Sequence, residues 1–401
     1  KKSDESKVLA VRVVARTNFR HWRAALLCAA VVVARPEHAE AQPLLAGPKD
    51  TAAPLTRTTL PGVQPTTLPW HDTYFYWDNA VSTNTLGVGQ SYLSRDPVYE
   101  LTLGLRPRYY FVDDADESIS VRADLGVVTE RTNSDTTTEQ GEWSATDFEL
   151  YGAFAYELRR SSDDITELSL RLPRVILPSS RISYDSGKIL GLGTRVALRE
   201  DVALEGRSEK FFPNLELFAK VEYDHQFTRA ETPTNSGLER IRLDPEGHSF
   251  TSDQLSGATF AHDAVDFGVA ASLHVHQDVL WTTSADIRPA WKYPVDRQVE
   301  VCGVVSTGCT QPSGIDNPQT RSVLTYFTSA VLVTLNDTFG LSFGYANLTA
   351  QLGPDGRRRG VFYSPDARFY GTLSVSLDHM YSDLSHRDPQ SASAAGASHN
   401  R

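Results

Sequence analysis

Apolar and polar residues alternate with a period of two through most of the chain from about residue 72 to residue 385. From Tyr99, one set of alternate positions reads Tyr99, Leu101, Leu103, Leu105, Pro107, Tyr109 and Phe111. The other set reads Glu100, Thr102, Gly104, Arg106, Arg108 and Tyr110. At 265–276, Val265, Phe267, Val269, Ala271, Leu273 and Val275 alternate with Asp266, Gly268, Ala270, Ser272, His274 and His276. Toward the end, Phe369, Gly371, Leu373, Val375, Leu377 and Tyr381 form one such face. Successive side chains of a strand point to opposite sides, so this pattern predicts strands with two unlike faces. Similar stretches fall near 118–130, 148–159, 165–177, 188–199, 215–224, 281–293, 322–335 and 339–351, and a less regular one near 72–80. Together they predict about twelve strands, the last finishing at Tyr381, and no helical periodicity between them.

The predicted connections alternate in length. Short joins sit at Asp113-Asp114-Ala115-Asp116, Ser161-Ser162-Asp163-Asp164, His276-Gln277-Asp278 and Asn336-Asp337, with a longer exception near 200–213. Long joins fall at about 80–98, 131–147, 178–187, 226–264, 294–321 and 352–367. Short turns at one end and long loops at the other predict an up-and-down antiparallel barrel with both termini at the short-turn end.

Alternation alone does not say which face points inward, and a soluble barrel or a β-sandwich would alternate too. Three features turn the apolar face outward. The strands are long, often ten residues or more, against about five or six for ordinary strands. Trp281 and Trp291 lie ten residues apart on one face, and Tyr99 and Tyr109 repeat the spacing. At about 3.3 Å per residue and about 40° of tilt, that spacing is about 25 Å along the barrel axis, the height of an apolar band between two aromatic girdles. With Tyr381 these residues form the expected girdle. The opposite face carries full charges in mid-strand: Arg106, Arg122, Asp124, Glu149, Arg171, Arg195, Lys220, Glu222 and Asp286. The fold class is therefore all-β, an antiparallel up-and-down transmembrane β-barrel with short periplasmic turns and long outer loops. From about 72 to 385 the chain resembles the bacterial outer-membrane β-barrel superfamily, porin-like in the broad sense. The resemblance is one of architecture without a family-specific motif, and it departs from the usual pattern in ending on about twenty polar residues after Tyr381 rather than on an aromatic one.

The ends of the chain read differently. Ala24 to Ala34 is an uncharged apolar run, preceded by Arg16, Arg20 and Arg23 and followed by Ala39-Glu40-Ala41. Eleven residues are too few for a membrane helix, and the order is that of a cleaved signal peptide over 1–41, with Gln42 as the first mature residue. Cys28 offers a lipoprotein alternative, but it lies within the apolar run and follows Leu27 where a small residue is usual. Residues 42–71, with Pro54, Pro61, Pro65 and Pro69, read as an extended periplasmic lead-in, and 386–401 as a polar disordered tail. The first 41 residues hold eight Lys/Arg and four Asp/Glu of the chain's 39 and 50, so the mature chain has 31 against 46, a net charge of −15. That balance speaks against nucleic-acid binding. Cys302 and Cys309 bracket a short Gly/Ser/Thr segment and, in an exported protein, predict a disulfide.

The lumen-facing charges are the candidate site. Arg106, Arg108, Arg122, Arg171, Arg195 and Arg199 fall on strands two, three, five and six. Glu216, Glu222, Asp224 and Asp266 fall on strands seven and eight, with Lys220 among them and Asp286 on strand nine. A basic arc facing an acidic arc would orient dipolar solutes in a porin-like channel for passive diffusion of small hydrophilic solutes or ions. The alternatives are a closed barrel, its lumen filled by salt bridges, that presents its outer loops for structure or binding, and an outer-membrane hydrolase using His248, Ser249, His262 and Asp263. These four match no catalytic signature and read as solvated loop residues, so no enzyme activity is expected. His274 and His276 share the lumen face two residues apart, which lumen polarity explains without a metal. Gly104, Gly126, Gly191 and Gly193 are strand glycines that leave room for lumen side chains, and no helix pattern follows Gly191-Leu192-Gly193 to make a nucleotide site. No cofactor is expected. The expected partners are outer-membrane lipid, the permeating solutes and the barrel assembly machinery, and the oligomeric state is not fixed by these features.

Overall fold

A computed structural model of the chain describes residues 66–385 except 84, 87–97, 115, 133–140, 161–163, 204–213, 232–239, 244–248, 253–258, 295–300, 303–308, 311–319, 352–357 and 365–366. Twelve antiparallel strands close into a barrel. They are β1 (Tyr74–Ser82), β2 (Tyr99–Arg106 and Arg108–Asp113), β3 (Glu117–Glu130), β4 (Phe148–Arg160), β5 (Asp164–Leu177), β6 (Lys188–Ala203), β7 (Asn214–Thr228), β8 (Ala261–His276), β9 (Val279–Lys292), β10 (Arg321–Thr334), β11 (Phe339–Ala350) and β12 (Arg368–Ser376). Each strand pairs with its sequence neighbours, and β1 pairs with both β2 and β12, Tyr74 lying opposite Arg106 and Ser376. Closure leaves the barrel wall without a free strand edge to pair with another chain. Twelve strands about 4.8 Å apart and tilted by about 40° enclose a backbone cylinder of radius about 12 Å, wide enough for two opposed layers of side chains and little more.

Two prolines shape the ladder. Pro107 has no N–H to donate and divides β2, while its carbonyl still accepts from the Ala123 N–H. Around Leu172 and Pro173 the pairing of β5 with β6 shifts, so that Arg171 lies opposite Arg195 and Arg174 opposite Gly193. An odd step between two residues normally puts them on opposite faces. The bulge restores both arginines to the same face.

The joins alternate as the sequence predicts, and a five-residue helix, α1 (Arg181–Asp185), lies in the long join between β5 and β6. Two small hairpins belong to long joins as well: Arg240–Leu243 pairs with Ser249–Ser252, and Val301–Cys302 with Cys309–Thr310, which sets Cys302 directly opposite Cys309 in backbone register.

The chain departs from expectation after β12. That strand ends at Ser376, and α2 (Leu377–Ser385) follows. Leu377, Met380, Tyr381 and Leu384 share one face of α2, and two of them also continue the period-two run, which is why the sequence reads as unbroken strand. Tyr381 therefore sits on the helix rather than on the barrel wall, and its ring meets Trp70 edge-on at 5.5 Å. Residues 66–71, assigned by sequence to the lead-in, pack against the short-turn end. The Tyr110 N–H donates to the Pro69 carbonyl (2.7 Å), and the His71 ring stacks on Tyr110 at 3.9 Å. The expected signal peptide, residues 42–65 of the lead-in and the tail at 386–401 lie outside the described residues.

The two faces differ sharply. Val269 (60% exposed), Phe343 (61%) and Ile287 (54%) project outward in mid-strand. On the alternate positions Arg108, Arg122, Glu149, Arg195, Glu222, Asp224 and Asp286 are buried. A water-soluble fold would place these sets the other way round.

Candidate functional site

The inner wall concentrates the chemistry. Its central network joins five strands. Arg174 on β5 donates to Glu149 on β4 (3.0 Å), to Glu222 on β7 and to Asp224 on β7 (3.1 Å). Arg195 on β6 pairs with the other oxygen of Glu222, and Arg288 on β9 reaches Asp224 at 3.1 Å. Three guanidiniums thus offset three carboxylates, and all of these groups except Arg288 are buried, where an uncompensated charge would be costly. Asp224 and Arg288 stand two strands apart. They meet because the inward position between them on β8 is Ala264, which lies opposite both Asp224 and Ala290.

Smaller networks complete the belt. Arg106 donates to Asp124 (2.8 Å) and lies 4.6 Å over the Tyr76 ring. Arg108 pairs with Asp72 (2.9 Å), which also accepts from the Tyr110 hydroxyl (2.6 Å). Arg199 binds Asp201 (3.0 Å) and Glu216 (3.1 Å), and Lys220 lies 3.5 Å from Asp266 and 3.2 Å from Asp286. Arg171 lies 4.7 Å over the Tyr151 ring, and Arg122 sits buried on β3 between Arg108 and Tyr151 in register. Inward glycines make room for these groups. A Cβ at Gly268 would fall 1.8 Å from Asp286 Oδ1 and 2.3 Å from Lys220 Cε, and one at Gly193 would fall 2.3 Å from Asp224 Oδ1.

The sequence pattern predicts a basic arc across from an acidic one. The structure interleaves them. Asp124 and Glu149 stand among the arginines of β2–β5, Lys220 and Arg288 stand among the acids, and the arcs join directly where Arg195 meets Glu222. What the lumen presents is decided by which partner lies on top. Arg106 and Arg288 are 32% and 34% exposed, whereas their carboxylate partners Asp124 and Asp224 are 10% and 4% exposed. Two residues important here were missed. Arg174 is hidden by the bulge at Pro173, which breaks the simple alternation. Arg288 shares the parity of Asp286, so the pattern did contain it.

Elsewhere, Tyr99, Tyr109 and Trp281 are exposed on the outer wall and Trp291 is partly so, with the Trp281 indole N–H donating to Ser329 (3.0 Å). His262 and Asp263, weighed as hydrolase residues, belong to a cluster on the outer wall near the long loops. Asp263 accepts from the Tyr223 hydroxyl (2.5 Å) and bonds His225 (2.8 Å) and His262 (2.5 Å). His248 lies outside the described residues, and Ser249 begins a strand of the hairpin in the β7–β8 join. His274 is on the inner wall opposite Leu280, and a register shift separates it from His276.

A closed up-and-down barrel with an apolar exterior, a charged interior and long loops at one end has the architecture of the outer-membrane β-barrels. No protein-family model and no curated protein sequence matches the chain. Solved structures similar to it include an outer-membrane channel from Pseudomonas putida F1, at 11% identity, covering 77% of this chain and 96% of that one with a TM-score of 0.45. The NanC porin is similar at 8% identity over 76% of this chain and 98% of that one, TM-score 0.33. LpxR from Salmonella typhimurium is similar at 8% identity over 76% of this chain and 99% of that one, TM-score 0.33.

Proposed function

We propose that the chain is a channel of the bacterial outer membrane, passing small hydrophilic solutes and ions by diffusion through a narrow lumen. The observation that carries this reading is the pair of solvent-accessible guanidiniums, Arg106 and Arg288, on an inner wall where their own carboxylate partners, Asp124 and Asp224, are tucked behind them. A purely structural core would have no reason to leave cations facing water, while a conduit uses them to set ion preference. Arg106, Arg108, Arg122, Arg171, Arg195, Arg199, Glu216, Lys220, Glu222, Asp224, Asp266 and Asp286 would be its lining charges. Tyr99, Tyr109, Trp281 and Trp291 would sit at the membrane interfaces, with the short turns in the periplasm.

Reversal potentials in a salt gradient test this. The native channel favours anions. Neutralising Arg106, Arg122 and Arg195 together moves selectivity toward cations, and neutralising Arg106 with Arg288 moves it at least as far, because these two face the water. Unchanged selectivity in both variants sinks the assignment.

A second reading, a closed barrel presenting its loops, is favoured by one observation: the inward Tyr76, Tyr110, Phe218 and Tyr326 are all buried. Export by a signal peptide cleaved after Ala41, insertion by the barrel assembly machinery and a disulfide between Cys302 and Cys309 belong to the same proposal. The backbone register opposing the two cysteines supports the disulfide. Mass analysis of the non-reduced mature chain should show no free thiol, and two free thiols refute it.

A further inference from the structure

We propose that the half of the lumen nearer the long loops holds a subsite for small organic anions with an apolar body, built on β9 to β12. This deepens the channel reading and rests on it.

Every strand from β2 to β9 presents at least one charge to the lumen. The inward positions of β10 and β11 present none. Toward the long-loop end, Leu324 and Tyr326 are among the inward residues of β10 and Leu348 is one of those of β11, with Tyr326 opposite Leu348. A cation stands at each side of this uncharged sector. Arg288 on β9 lies opposite Leu324, and Arg368 on β12 lies opposite Ala346 of β11. Both are anchored from beyond the sector: Arg288 by Asp224 of β7 at 3.1 Å, and Arg368 by Glu100 of β2 at 2.6 Å. The carboxylates therefore lie on the far side of the guanidiniums, and among the described strand residues no acid stands between either cation and the uncharged wall. Arg288 is four residues from the end of β9, which places the sector toward the long-loop end.

The physical consequence is selective. A solute entering a narrow lumen sheds water. A hydroxyl-rich body pressed against Leu324 and Leu348 loses hydrogen bonds that these side chains cannot replace. An apolar body loses none and covers apolar wall, while its acidic group meets Arg288 in a charge-assisted hydrogen bond. The recognised chemistry is a singly charged carboxylate or sulfonate carried on a few apolar carbons.

The probes are sodium 1-pentanesulfonate and sodium gluconate, equal in charge and opposite in body. Reversal potentials across a planar bilayer holding the full mature chain should give pentanesulfonate a permeability about threefold or more above gluconate, the scale set by partial burial of one or two methylenes. In Leu324→Gln/Leu348→Gln the two permeabilities become equal while potassium chloride conductance persists. Leu348→Thr, a milder change, lowers the ratio if the double variant does not fold. A native chain that conducts potassium chloride yet treats the two anions alike overturns the subsite and leaves the channel standing. So does a ratio that survives in the folded variants. Silence in potassium chloride sinks the channel reading, and the subsite with it.

Discussion

Replacing Arg174 with methionine should destabilise the barrel by about 3–5 kcal/mol, the range for removing one partner from a buried ion network. Arg174 touches Glu149, Glu222 and Asp224, all buried. Methionine keeps most of the volume and removes the charge. Glu222 retains Arg195 and Asp224 retains Arg288, but the local balance moves from three against three to two cations against three acids. The measurement is equilibrium unfolding in urea of the protein refolded into lipid vesicles, read by tryptophan fluorescence. A second substitution, Glu149→Gln, should recover part of the loss, because it removes one of the three buried acids that Arg174 holds and restores two cations against two acids. Equal stability of Arg174→Met and the native chain would contradict the network.

Val269→Arg should cost about 2–4 kcal/mol in a bilayer, the range for arginine near the midplane of a barrel's lipid-facing surface. Val269 is 60% exposed and lies near the middle of β8. On a water-facing surface the same change would fall within about 0.5 kcal/mol of neutral. The substitution therefore reads the solvent on that face directly. A neutral result would place water, not lipid, against the apolar wall.

Much of the fold was legible because period-two alternation is a local property of each strand and survives the absence of any tertiary information. The predicted strands and the observed ones share their positions, and the alternation of short and long joins fixed the up-and-down topology. The errors have local causes too. Leu377 and Tyr381 satisfy both periods, so the end of β12 could not be separated from α2 by pattern alone. Asp378 helps to settle it, since its buried carboxylate accepts from Ser376 and from Thr66 (3.0 Å) and ties α2 to the segment before β1.

The inner wall was legible as a set of residues and not as a circuit. Strand order places Arg195 beside Glu222, but it does not say that Arg174 will reach across β6 to β7. Long side chains can lean toward either neighbouring strand, and small residues such as Gly193 and Ala264 decide which way is open. Strand order likewise suggests two opposed arcs. Local pairing cancels most of that opposition and leaves Arg106 and Arg288 more accessible than their carboxylate partners.

Single-channel recording of the refolded mature protein in a planar bilayer tests the channel most directly. Discrete, stable openings with anion preference are the predicted result. A folded, heat-modifiable barrel that inserts and stays silent would contradict it and leave a closed barrel presenting its long loops.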